Sequence, residues 1–436
     1  MSFLDTVVTV NVTATSATPT LPGFGIPAIL AYHTHWTDRI RTYTDLAGMT
    51  ADGFTTTEPA YLMAQSIVQQ SPRPTTFKVI RGTTSVVQTW TFTVTDNTDG
   101  HSVGQTVTSP TGVVTACYHT VAGETTAQVA TAVAALIDAI VGVGAAAVGS
   151  VVTVTADVSG TIWYSSLVSG GNFADTSPTV NPATDLDATI LIDATWYGIS
   201  GAWLGATNIL LIAAWAETNK RLHGFTTMDS DNLVADSGVI EACQDLSYKY
   251  SYGLFSLVPR TYGATGWLGG QLTAVPGSNT WAYKQIAGTS VDALTPTQET
   301  NLTANGGNFY ITMAGVNVTF DGRTASGQYI DITVGIDSLS QKIQLRVATL
   351  LTTMPKLPFT RAGISLVRGA IMAALQDSIR DNFLSNDAGF EPSITIPDLA
   401  TISPADKADR LLRTVNFSCT AQGAIHKVRI NGVVTL

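Results

Sequence analysis

Charge is the scarcest property of this chain. Of its 436 residues, 12% are Asp, Glu, Lys or Arg, about half the share usual for globular proteins. Cysteine is nearly absent too. Cys117, Cys243 and Cys419 are odd in number and widely separated, which excludes a disulfide framework and a CxxC metal or redox pair. They read as buried thiols behaving like small apolar side chains. No P-loop, GxSxG elbow or HExxH pattern occurs, and no strand end carries a glycine-rich nucleotide fingerprint. Clustered positive charge of the kind that binds nucleic acid is missing as well. The most apolar run, residues 129–149, is broken by Asp138 and by glycines; it reads as an amphipathic helix followed by a turn, too interrupted to cross a membrane. The start, MSFLDTVVTV, has neither a basic segment nor a signal-type apolar block. A protein made and kept in the cytoplasm until assembly is expected.

The few chemical candidates are weak. His33 and His35 stand two apart, on one face of an extended segment, but a catalytic zinc site needs a third ligand and none is near in sequence. Asp229 and Asp231 have the spacing of a calcium loop without its glycine or terminal glutamate. His119 near Cys117 reads as strand packing. The expectation is a protein that is not an enzyme and carries no cofactor or metal.

What remains is polar cover without charge. Thr, Ser, Asn and Gly coat a chain that is 45% hydrophobic. Such a surface gives weak protection against self-association, which suits a protein whose work is to assemble. Charge is also unevenly placed. Residues 336–436 hold 11 of the 22 Lys and Arg but 8 of the 32 Asp and Glu, a balance of +3 against −13 for the rest.

In chain order, residues 1–20 read as an arm. Val8, Val10 and Val12 alternate with polar residues at the period of a strand, and TSATPTLPGFGIP separates them from the rest of the chain. Such a strand either folds back or pairs with another chain; extended, it reaches on the order of 65–70 Å. Strands are expected at Ile26 to Tyr32 and Phe77 to Arg81, with a helix at Glu58 to Gln70. Residues 82–184 read as an inserted α+β module of short threonine-rich strands with one helix at about Thr125 to Val141, placed on the outer surface. A strand at Asp185 to Asp193 should resume the core. Helices are expected next at Asn208 to Arg221, Val239 to Ser247 and Trp267 to Ala274, with strands at Arg221 to Thr227 and Tyr252 to Val258. The alternation points to a layered α+β or α/β core over 21–81 and 185–275.

The densest punctuation runs from Pro276 to Gly363. Thr295, Pro296 and Gln298 form a helix-start signal, and Asn305-Gly306-Gly307 stops that helix. Asn308 to Thr312 and Gln328 to Val334 read as strands. Ile336, Leu339, Ile343, Val347 and Leu350 then fall on one helical face. Ile364, Val367, Ile371, Leu375 and Ile379 make a second such face over Gly363 to Phe383. Ser403-Pro404 starts a helix expected to reach Thr414 with Arg410 and Arg413 on it. Val415 to Ala421 and Ala424 to Ile430 close the chain as strands.

This ordered series resembles contractile tail sheath proteins of myophages. It is carried by Pro276, Gly277, Thr280, Trp281, Lys284 and Gly288, by Thr295 with Gln298, and by Asn305 through Tyr310. Gly327, Tyr329, Ile330, Asp331, Gly335 and Asp337 continue it, and Pro358, Phe359, Thr360 and Gly363 close it. Trp196-Tyr197-Gly198, the segment Ala213 to Lys220 and the terminal AIHKVRINGVV add to it. The resemblance implies a sheath subunit that polymerises with itself as stacked hexameric rings around a tail tube. It also implies tube, baseplate and tail terminator proteins as partners, no direct contact with nucleic acid or membrane, and a place in the virion tail.

It implies too that residues 276–423 form a core domain facing the tube, and that residues 1–20 and 424–436 are arms adding strands to neighbours. Val8, Val10, Val12, Ile425, Val428 and Ile430 would carry the strand exchange. Lys342 and Arg346, four apart on one helix, with Arg368 and Arg380 on the next, would face the tube. Two other classes fit parts of the composition: a surface-layer or adhesive protein, and an enzyme with an unrecognised site around His33 and His35.

Overall fold

The computed structural model describes residues 23–84, 87–109, 112–157, 164–177 and 180–429. They form two compact units. The larger is Pro22–Ala274 with Tyr283–Gln328; the smaller holds Val275–Ala282 and the chain from Tyr329 onward. The stretch 276–423, expected as one domain, is therefore divided, because residues 283–328 pack into the larger unit.

The larger unit begins with β1 (Pro27–Tyr32), β2 (Ile40–Tyr43) and β3 (Phe77–Gly82). A module then supplies β4 (Thr89–Val94), β5 (Ser102–Ser109), β6 (Gly112–His119), β7 (Val143–Val148), β8 (Val151–Ala156), β9 (Tyr164–Ser169) and β10 (Gly171–Asp175). After it come β11 (Gly198–Gly201), β12 (Leu222–Thr227) and β13 (Ser251–Phe255). Six of these make one sheet in the order β13-β12-β11-β1-β3-β2, parallel except for β2. Parallel strands are buried on both faces, so their sequences are nearly continuous apolar runs, as PAILAY is here. Ile29 and Ala31 pack with Met63, Ala64 and Ile67 of the helix Pro59–Val68. Ala28 and Leu30 point the other way, toward Ile212, Trp215 and Ala216 of the helix Ala206–Asn219.

The module has its own core. Its four-stranded sheet, β10-β4-β8-β7, and its three-stranded sheet, β6-β5-β9, share a cluster with the helix Thr126–Asp138. Trp90, Phe92 and Val94 of β4 are buried while the threonines between them are half-exposed, the alternation of a sheet with one wet face. Trp90 Nε1 donates to Gln105 Oε1 at 3.0 Å, tying the two sheets. The first and last strands of the module pair, with Trp90 opposite Asp175.

Several sequence expectations change. Residues 185–193 are largely helix, not strand: Pro182–Ile190 starts at Asn181, whose side chain accepts from Thr184 N–H, with Pro182 in the first turn. That start signal outweighs the β-branched residues. Gln328 to Val334 is not a strand either; a helix runs over Ile330–Thr353. Its buried Ile330, Thr333, Val334 and Asp337 extend the helical stripe backwards. β-branched residues cost a helix only tenths of a kcal/mol each, so burial of that stripe prevails. The helix after Ser403 ends at Ala408, and Arg410 takes a left-handed φ of 57°; Arg410 and Arg413 lie beyond it. Strand β2 is additional to those expected, and β11 follows the segment where a strand is expected.

Past the helix Pro296–Ala304, β14 (Phe309–Met313) and a further strand, β15 (Val316–Phe320), form a hairpin. The expected helix start is present as a reciprocal cap between Thr295 and Gln298. Asn305 and Asn308, just beyond that helix, are buried hubs. Asn305 Nδ2 donates to the carbonyls of Asn232, Val234 and Ser237, and its Oδ1 accepts from Asp236 N–H. Asn308 N–H donates to Gly253 O at 3.0 Å and its carbonyl accepts from Phe255 N–H at 2.9 Å, closing the outer edge of β13. Its side chain donates to Gly253 O and Arg323 O and accepts from Gly322 and Arg323 N–H.

In the smaller unit the helices Ile330–Thr353 and Arg361–Arg380 pack together. Leu339, Ile343, Ile371, Leu375 and Phe383 form their seam, flanked by Ile336, Val347, Val367 and Ile379. Gly335 is required: a Cβ there would sit 2.2 Å from the Phe383 ring. Two three-residue strands, β16 (Ser393–Thr395) and β17 (Asn416–Ser418), pair antiparallel and lay Ile394 and Phe417 on that seam. β17 is all that remains of the strand expected over 415–421.

Asn308→Ala strips four hydrogen bonds from a fully buried position. Each buried group left unpaired costs about 1–3 kcal/mol, so a loss of roughly 3 kcal/mol or more is expected. Urea unfolding followed by circular dichroism checks it; an unmoved midpoint would refute the hub.

Candidate assembly surfaces

The chemical candidates stand apart from one another and make packing or hydrogen-bond contacts. His33 is 5% exposed and neither ring nitrogen has a hydrogen-bond partner. Its ring lies edge-on to Trp36 at 4.1 Å and to Phe54 at 4.9 Å. His35 instead pairs with Glu58, Nε2 to Oε2, at 2.7 Å. Among the described residues no three metal-donor side chains converge. Asp229 accepts from Asp231 N–H at 3.0 Å, capping a single helical turn over Ser230–Leu233. His119 Nδ1 bonds Ser102 Oγ across the strands at 2.9 Å. Burial pushes the Cys243 thiol up to about 12, far from a reactive thiolate.

Residues 424–429 offer open backbone. Val8, Val10, Val12 and Ile430 lie outside the described residues. Ile425 is 85% exposed and Val428 is 72% exposed. No strand forms over 424–429 although one is expected there; a strand needs a partner, and none is supplied. His426 pins the segment, with Nε2 at 2.8 Å from Thr280 Oγ1 and its ring edge-on to Tyr329 at 4.7 Å. Among the described residues, β17 pairs with one edge of β16 and no strand pairs with the other.

The four cations expected to face a tube are not equivalent. Lys342 is ion-paired with Asp381, and Arg346 and Arg380 both with Asp377. The partners of Lys342 and Arg346 lie 39 and 31 residues away, invisible to local spacing, while Arg380 pairs within its own helix. Arg368 is exposed and makes no ion pair among the described residues. Lys356 and Arg361, at the turn joining the helices, are in the same position. No acidic residue occurs between Asp337 and Asp377, so the joining end is an open positive surface. A scan for acid-free stretches would have found it.

Comparison with known proteins places this architecture. No family profile matches the chain, and no curated protein matches it in sequence. Solved structures do match. A chain of the anti-feeding prophage helical sheath in its contracted state has a TM-score of 0.57 at 10% identity, covering 98% of each chain. A chain of the PVC sheath complex, an extracellular contractile injection system in its contracted state, has a TM-score of 0.56 at 7% identity, covering 98% of this chain and 96% of that one. A chain of the anti-feeding prophage baseplate in its contracted state has a TM-score of 0.54 at 9% identity, with 100% and 99% covered. The chain shares the fold of these sheath and baseplate chains. No helix among the described residues is long and apolar enough to cross a membrane.

Burial pushes His33 and His223 down to about 3 from an ordinary value near 6.5, and His35, Arg81 and Arg41 add to the shift at His33. Both stay neutral in the folded chain and take protons once unfolded, so they favour folding above pH 6.5. That contribution is lost as pH falls toward 3, by up to about 1.4 kcal/mol per pH unit for each histidine. Asp292 opposes this trend: burial raises it to about 6, so its contribution is lost as pH rises from 3.8 to 6. Between pH 4 and 7, His33→Gln should therefore lose less unfolding free energy on acidification than the parent chain. An identical slope in that variant would contradict a buried neutral His33.

Proposed function

We propose that this chain, which has the sheath fold, is the structural subunit of a contractile phage tail sheath. It polymerises helically around a tail tube and contracts to drive the tube through a host envelope. The observation that carries this is the end-to-end likeness to a chain of a helical sheath. Repeated head-to-tail contacts between unlike patches generate such open arrays. The scarcity of charge agrees with a structural role.

The unpaired backbone supports an exchange of strands. Residues 1–20 and 424–436 would add to the sheets of neighbours, with Val8, Val10, Val12, Ile425, Val428 and Ile430 as anchors. The free edge of β16 is a suitable acceptor. Backbone hydrogen bonds would then tie the array together while the cores rotate and slide. Contraction would release a kinetically trapped extended state through new core contacts, with no nucleotide hydrolysed. Assembly would occur in the host cytoplasm, and baseplate and terminator proteins would cap the ends. The module over 82–184 would lie on the outside.

Contact with the tube would use the open cations first. Lys356, Arg361 and Arg368 are the better placed, with Lys342, Arg346 and Arg380 contributing through what Asp377 and Asp381 leave unscreened. Reversing Lys356, Arg361 and Arg368 to Glu should weaken attachment to the tube, most at low salt. Attachment unchanged across salt concentrations would remove this contact.

Negative-stain electron microscopy of the purified chain, beside a version lacking residues 1–20, tests the whole. Long hollow tubes from the full chain and discrete particles from the truncation are expected. Tubes from both would refute the arm; particles alone from the concentrated full chain would refute the sheath role.

A further inference from the structure

His426 holds residues 424–429 to their own unit. Gln422 N–H donates to Phe383 O at 2.9 Å. Beyond it, residues 423–425 and 427–429 are exposed, and only His426 in that run is half-buried. Its Nε2 lies 2.8 Å from Thr280 Oγ1, and its ring stands edge-on to Tyr329 with the ring centres 4.7 Å apart. Both anchor points are themselves fixed. Thr280 Oγ1 also accepts from Ala282 N–H at 3.3 Å, and Tyr329 is the cap residue at the start of the helix Ile330–Thr353. All of these residues belong to the smaller unit.

The apolar side chains on either side of His426 gain nothing from this placement. Ile425 is 85% exposed and Val428 is 72% exposed, so docking on the chain's own body leaves their surface in water. The segment is held at one point, by a polar contact and a ring contact. Such a hold is reversible. A hydrogen bond shifts an equilibrium by roughly two- to twelvefold net, and an edge-on ring contact by a similar factor.

We propose that His426 is a latch: it stores the C-terminal segment on its own subunit and releases it when the segment adds as a strand to a neighbour. The inference rests on the strand exchange proposed above and names its regulation. Joining a neighbour's sheet takes the backbone of 424–429 onto another copy and sets residue 426 in that sheet's pleat. The two placements exclude one another. Capture through a minor, released state is weakened in proportion to that state's share. Loosening the latch therefore favours assembly, the reverse of what losing an ordinary stabilising contact does.

Limited trypsin digestion of the full chain reads the hold, because Lys427 and Arg429 are exposed just beyond His426. Thr280→Val removes the anchoring hydroxyl without altering the sequence that is cut. Cleavage follows the released fraction, so mass spectrometry should show the terminal peptides freed roughly threefold faster or more in this variant. The same variant should form tubes at a lower protein concentration than the parent chain. If Thr280→Val is not folded by circular dichroism, Tyr329→Leu, which keeps bulk and loses the ring, takes its place. Equal cleavage rates would overturn the latch. Faster cleavage with tubes at an equal or higher concentration would overturn its competition with assembly while leaving the sheath role intact. A parent chain that forms no tubes removes the sheath reading and that competition together, and the cleavage rates alone then decide whether His426 holds the segment.

Discussion

Everything in the larger unit depends on β1 being paired on both sides, with β3 at one edge and β11 at the other. These partners are separated by more than a hundred residues of chain, so the sheet closes only if the intervening module returns to where it left. The pairing of β4 with β10 ensures that return. With its ends held together and its core its own, the module can vary in size without parting the central strands. A chain built this way keeps a rigid body while presenting additional surface.

The far edge of the same sheet shows how closely open backbone is managed. Asn308 covers β13 with main chain and side chain together, so that edge is not free for pairing with another copy. β16, in the smaller unit, receives no such cover among the described residues. The contrast between a closed edge and an open one supports reading the open one as a place for exchange. Residues 424–429 make the complementary point: Ile425 and Val428 stand exposed in a segment that forms no strand among the described residues.

Local signals are legible where local physics decides. The Thr295–Gln298 cap, the buried strand in PAILAY and the two helical faces over 336–350 and 364–379 depend on neighbours a few residues away. Elsewhere the deciding partner is distant. Nothing near Lys342 or Arg346 shows that Asp381 and Asp377 will neutralise them. Nothing near Ile330 shows that burial will favour helix over strand. The Asn181-Pro182 start is a local signal, yet the β-branched residues behind it point toward strand and mask it. The Asn305 and Asn308 motif is visible as punctuation, but its use as a pair of buried hubs needs loops some 55 to 73 residues away.

The central claim is that the chain ends pair with neighbouring copies when the array forms. Hydrogen exchange, compared between free and assembled full-length chain, reads it most directly at the amides of residues 7–13 and 424–429. The account predicts fast exchange in the free chain and strong slowing in the array, because strand pairing buries those amides in hydrogen bonds. Exchange as fast in the array as in the free chain would contradict it.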